Sequence, residues 1–154
     1  PITLTTLTNL CWLLATAADP AERDPSKAVE LAKRATEIQP ERARHWDKLG
    51  VALYRNGEFS KAVETLEKAR AMCGGQDPKH QFFLAMAYWQ VGQRGQALEN
   101  YAEATAWLES GDCKEKPSQE EQGRFADEAE SLIEPNVPTS NTQPKAGNQE
   151  LSDE

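Results

Sequence analysis

Apolar side chains recur at steps of three or four along most of the chain, and no stretch alternates apolar with polar at the period of a strand. The first run sets the pattern. Leu4, Leu7, Leu10, Cys11 and Leu14 share one face of a helix expected from Ile2 to about Ala17. Asp24-Pro25 then reads as a helix start: the aspartate can accept from a free first-turn amide, and proline lacks the amide proton its position cannot use. The second helix runs to about Ile38 and stops before Pro40. A third is expected from Glu41 to Asn56, where Gly57 supplies the left-handed residue that ends helices, and a fourth from Ser60 to Cys73, ended by Gly74-Gly75. Asp77-Pro78 opens a fifth helix by the logic of Asp24-Pro25, closing at Gly92. The sixth starts at Gln93 or Gly95 and runs to Leu108. After a linker over 111–117, Ser118 with Glu121 three residues on has capping-box spacing and starts a seventh helix ending near Ile133. Beyond Pro135 there is little but Pro, Ser, Thr, Asn and Gln. That stretch buries too little surface to offset its ordering entropy and is expected to be disordered.

The helices are not independent. Leu49-Gly50, Gly57, Ala62 and Ala69 are answered 35 residues later by Leu84-Ala85, Gly92, Ala97 and Ala104. A period of this length predicts a stack of helical hairpins, each hiding the side its neighbour leaves open. The conserved spacing concerns small residues. Gly50 opposite Ala62 is expected to let two backbones approach, with Trp46 and Leu66 filling the wider ends.

Composition adds limits. The chain has 154 residues, one domain's worth, with 38% hydrophobic and 27% charged residues. Its longest apolar run, Leu10 to Ala18, is too short to cross a bilayer, and a cytoplasmic protein is expected. Residue 1 is Pro rather than Met, so the chain is expected to be a piece of a longer one. The net charge of −8 is uneven: residues 1–116 hold 15 basic against 16 acidic groups, and residues 117–154 hold 2 against 9. An acidic chain is a poor partner for a phosphate backbone, so no nucleic acid is expected. Cys11, Cys73 and Cys113 show no metal-ligand spacing and read as incidental thiols. His45 and His80 stand 35 apart without a third ligand, and Glu64, Glu67, Glu99 and Glu103 read as solvated faces beside Lys61 and Lys68. There is no phosphate-cradling glycine loop and no GxSxG or HExxH sequence, so neither catalysis, a metal nor a cofactor is expected.

Trp46, Leu49, Gly50, Gly57, Phe59, Ala62 and Ala69 resemble the tetratricopeptide repeat, as do Leu84, Ala85, Tyr88, Gly92, Ala97, Tyr101 and Ala104. A divergent first copy shows Leu7, Leu10, Cys11, Leu14, Ala28, Ala35 and Pro40, with about five extra residues in its turn. The arrangement, with the late helix carrying Phe125, Ala126, Ala129, Leu132 and Ile133, also resembles C-terminal repeat segments of large bacterial multidomain proteins, some linked to serine/threonine kinases. The resemblance implies an all-α, right-handed superhelix of three hairpins (about 4–40, 43–76 and 78–110). A capping helix (about 118–133) follows, then a disordered acidic tail (135–154). First helices of such repeats line a concave groove. The resemblance places Arg44, Asp47, Lys48, Val51, Tyr54 and Arg55 there from the second copy, and Lys79, Phe82, Phe83, Met86, Trp89 and Gln90 from the third. Thr8, Asn9 and Trp12 join them from the first. Members that grip a C-terminal carboxylate use a Lys/Asn, Asn, Lys/Arg pattern. Here those places hold Thr8, Trp12, Lys48, Lys79 and Phe83, and only Lys79 matches.

The expected function is a protein–protein interaction scaffold that binds a peptide or partner helix through Trp12, Arg44, Lys48, Val51, Tyr54, Arg55, Lys79, Phe82, Phe83, Met86 and Trp89. The alternatives are a structural, self-associating module and a regulatory appendage of a larger enzyme such as a serine/threonine kinase. A protein partner is expected, no membrane contact, and a homo-oligomer is left open. The basic groove residues are further expected to attract the acidic segment 117–154.

Overall fold

The computed structural model describes residues 2–73, 80–110 and 116–134, with the backbone alone over 116–119. Among them are seven α-helices and no strand. The helices are α1 (Leu4–Thr16), α2 (Pro25–Ile38), α3 (Ala43–Arg55), α4 (Phe59–Met72), α5 (Gln81–Gln90), α6 (Arg94–Glu109) and α7 (Lys116–Ile133), with a short 3-10 turn at Pro20–Glu22. The all-α repeat architecture expected from the 35-residue echo is the one observed.

Local chemistry sets the helix ends. Thr3 caps α1 by accepting from the Thr6 amide at 3.2 Å, and Asp24 caps α2 by accepting from the Lys27 amide at 3.0 Å. At the end of α3, Gly57 has φ 79°, its amide donates to the Tyr54 carbonyl, and the Glu58 amide donates to the Leu53 carbonyl. Gly92 repeats this after α5 with φ 85°, its amide on Trp89 and that of Gln93 on Tyr88. Both are Schellman ends, and only glycine takes that φ without strain. The enlarged first turn is held by Asp19 on the Ala21 amide and by the Arg23 guanidinium on the Ala17 carbonyl.

Two starts differ from expectation. α7 begins at Lys116, so Ser118 falls inside its first turn rather than capping it. α5 begins at Gln81; Asp77-Pro78, expected to open it, lies outside the described residues, as do Gly74-Gly75, Cys113 and the segment 135–154.

Helices α1/α2, α3/α4 and α5/α6 pair as hairpins, and α2 packs on α3 and α4 on α5 to stack them. Alanines on the second helices (Ala28, Ala35, Ala62, Ala69, Ala97, Ala104) are all buried at these contacts. At Gly50 the nearest part of α4 is Leu66, one turn beyond the expected Ala62. A Cβ there would strike the Leu66 side chain and lie 3.3 Å from the Leu66 backbone nitrogen, so the close approach is between α3 and the middle of α4. Trp46 is half-buried, its indole donating to the Pro40 carbonyl at 2.8 Å while the Lys68 ammonium sits 3.3 Å over its ring. Two of the carboxylates expected to be solvated join hairpins instead. Glu67 accepts from the Tyr88 hydroxyl at 2.7 Å, and Glu103 accepts from Arg70 and Gln81.

Candidate functional site

The first helices α1, α3 and α5 contact one another in sequence, and α7 lies against them, with its later part on α5 and α6. The amphipathic stripe of α7 explains its position. Phe125, Ala129 and Ile133 recur at four-residue steps and are all buried, which a free helix could not achieve. The Phe125 ring meets Phe83 edge-on at 4.6 Å between centroids and Trp12 at 6.1 Å. At the α6 end the Tyr101 hydroxyl reaches Glu134 at 3.4 Å, and at the α1 end Arg124 donates to the Thr16 carbonyl at 3.4 Å.

Arg55 is the polar centre of the site. Its side chain is 8% exposed, and its two terminal nitrogens donate to the two Glu128 carboxylate oxygens at 2.5 and 2.8 Å. Its Nε donates to the Ala15 carbonyl at 3.1 Å, and its guanidinium lies 4.9 Å over the Phe83 ring. One side chain thus ties the end of α1, the first turn of α5 and α7 together in the planar, two-pronged geometry that suits arginine. The expected attraction between groove cations and the acidic C-terminal segment takes this concrete form at Arg55. A surface cavity of about 390 Å³ opens beside the pair, lined in part by Arg23, Tyr54, Phe59 and Glu128.

The residues expected along an open groove have diverse surroundings. Val51, Phe82, Phe83 and Met86 are fully buried, and Tyr54 is nearly so, its ring against Phe59 and Phe83. Phe82 faces Tyr101 on α6. Trp12 is half-buried between His80 at 4.7 Å and Phe125. Lys48 is half-buried and donates to the Thr8 carbonyl at 3.3 Å; burial holds its pKa below the usual value. Trp89 is half-buried under the Arg94 guanidinium at 4.8 Å, Arg44 is exposed, and Lys79 lies outside the described residues. So Trp12, Arg55 and Phe83 converge on α7, while the other described ones pack within the stack or stand apart.

The histidines have separate partners. His45 Nε2 pairs with Gln39 at 3.2 Å, and His80 Nε2 with Asp47 at 2.9 Å. Burial pushes the Cys11 thiol up to about 11, so it stays protonated and unreactive.

Assignment by repeat position did not reveal Phe125 and Glu128 as site residues. The available signal was the stripe Phe125, Ala129, Ile133 on a helix outside the repeat, which requires an apolar face to cover it.

Residues 21–78 match the family model of the tetratricopeptide repeat. This segment, which contains α2, α3 and α4, is similar to the tetratricopeptide repeat. Repeats of this family are generally protein–protein interaction modules and typically non-catalytic. No curated protein matches the chain. No helix among the described residues is long and apolar enough to cross a membrane.

Proposed function

We propose that this chain binds an amphipathic helix of a protein partner on the face formed by α1, α3 and α5, and that α7 is the internal occupant such a partner displaces. The observation that supports this reading is the fit of α7 itself: an aromatic in the Trp12–Phe83 cleft, a carboxylate three residues on for Arg55, and small and branched apolar residues after it. Helix-in-groove recognition uses anchors at this spacing. The site therefore favours an acidic helix with Phe, Glu, Ala and Ile at the register of 125, 128, 129 and 133.

The test is a fluorescently labelled peptide of residues 116–134 titrated into the full chain and into its Phe125→Asp variant. The variant, with its own helix dislodged, binds the peptide at least about tenfold more tightly than the parent. Equal binding to both, or binding to neither, rejects the reading.

A further inference from the structure

A helix leaves its last carbonyls without partners inside the helix, and the partial charge at that end favours cations. α1 carries no basic residue in its own last turn. Its end is served from elsewhere in the chain. The Leu14 carbonyl accepts from the Asp24 amide at 3.0 Å. The next three carbonyls accept from three arginines on three different segments. Ala15 takes Arg55 Nε of α3 at 3.1 Å, Thr16 takes Arg124 of α7 at 3.4 Å, and Ala17 takes Arg23 Nε, in the turn before α2, at 2.7 Å.

Capping a carbonyl takes one N–H, and for Arg55 and Arg23 that is Nε. Their terminal nitrogens, an edge that reads oxyanions, are left over. Arg55 gives both of its own to Glu128. Those of Arg23 meet no carboxylate among the described residues, and Asp19 in the same turn accepts from the Ala21 amide. Burial lowers the Arg23 pKa, the charge of Arg55 lowers it further, and Arg124 adds to this against Glu128 and Asp19. Backbone carbonyls, more than counter-ions, thus hold these cations together.

Arg23 and Arg55 line the same cavity of about 390 Å³, together with Tyr54 and Glu128. Arg124 lines a different one, with Trp12 and Thr16. Two scaffold arginines therefore face the cavity, and α7 offers them one carboxylate while bringing an arginine of its own. A partner helix with a glutamate at this register exchanges one carboxylate for another and leaves the terminal nitrogens of Arg23 as they are. A phosphoryl group, with a charge of about −2 and three acceptor oxygens, suits two forks.

We infer that the partner helix carries a phosphoserine in the place of Glu128, its phosphoryl oxygens shared between Arg55 and Arg23, so that phosphorylation of the partner decides whether it displaces α7. The inference rests on the reading of α7 as a displaceable occupant.

The test compares two labelled peptides of residues 116–134, one unmodified and one with phosphoserine in place of Glu128, each titrated into the full-length Phe125→Asp chain. The phosphopeptide binds at least about tenfold more tightly at low salt and about pH 7.5. That ratio shrinks as salt is added, and again as the pH falls to about 5.5, where the phosphoryl group carries a single charge. Arg23→Gln, which keeps a donor for the Ala17 carbonyl, lowers the ratio to about twofold, and a general loss of binding cancels in the ratio. The pH readout changes nothing in the scaffold and so stands even where that variant fails to fold. If the unmodified peptide binds and the phosphopeptide binds no more tightly, this inference falls and the displaceable helix stands. Binding of neither peptide overturns both. A ratio that survives Arg23→Gln places the phosphoryl group elsewhere and overturns the assignment. So does inorganic phosphate competing as well as unlabelled phosphopeptide, which would make this a site for small anions.

Discussion

Hairpin α3/α4 and helix α7 are both held on α3, by opposite means. The hairpin closes on the absence of a side chain, Gly50 against Leu66. The docked helix is held by long side chains: the Phe125 ring between Trp12 and Phe83, and the Arg55 fork on Glu128. A contact made of missing atoms accepts no addition and belongs to the global fold. A contact made of long side chains can open locally and leave the rest standing. The difference separates a fixed scaffold from a removable occupant.

The largest effect sharpens the fixed side. Gly50→Leu must push Leu66 and the α4 backbone aside, so it costs about 3 kcal/mol of global stability. Urea titration checks this. The midpoint falls with the slope unchanged, and the loss appears equally for probes on every hairpin. A loss under about 1 kcal/mol would mean that α3 and α4 can part without consequence.

Arg55→Met probes the removable side. The apolar stem is kept, while the fork to Glu128 and the bond to the Ala15 carbonyl are lost. Glu128 is 35% exposed and can turn to water, so the cost is about 2 kcal/mol rather than that of an enclosed pair. Hydrogen exchange shows where it falls: amides of 120–134 lose protection first, while α3 and α4 keep theirs. Uniform loss over all helices would make α7 part of the global core and erase the contrast.

The same contrast explains what the sequence made legible. Repeating features are local and were readable: the capping aspartate at 24, the two Schellman glycines, the buried alanines of the second helices. The register of one hairpin gives that of the next, because each packs by the same small residues. Gly50 was recognised as a close approach but paired with Ala62, since sequence offset cannot tell which turn of α4 comes nearest; Leu66 does. The groove residues were placed by register on the first helices, which does not say what covers them. Phe83 and Arg55 belong to α7 through contacts 42 and 73 residues away in sequence, and nothing repeats there to announce them. Val51 and Met86 read as exposed anchors because a single repeat shows only one of the two neighbours that bury them.

The smallest effect is a pH dependence, and it distinguishes the hairpin stack from α7 once more. His45 is buried between hairpins one and two, its Nε2 on Gln39 and its Nδ1 without a partner. Burial lowers its pKa, and the cations Lys48, Arg44 and Arg42 lower it further against a small opposing contribution from Glu41. A histidine held neutral in the folded state gains a proton more readily when the chain unfolds. The unfolded state therefore binds more protons, and stability rises with pH across the interval from the depressed folded value up to about 6.5, where the free histidine titrates. As the pH falls below about 6.5, that contribution is lost. His45→Gln removes the titration while keeping a group able to bond Gln39, so its denaturation midpoint between about pH 5 and 7 changes less than that of the parent chain. Because His45 sits at the stack and not at the groove, exchange protection of α7 relative to α3 stays constant over the same interval. Parallel pH profiles for parent and variant would show that this histidine charges as freely in the fold as outside it.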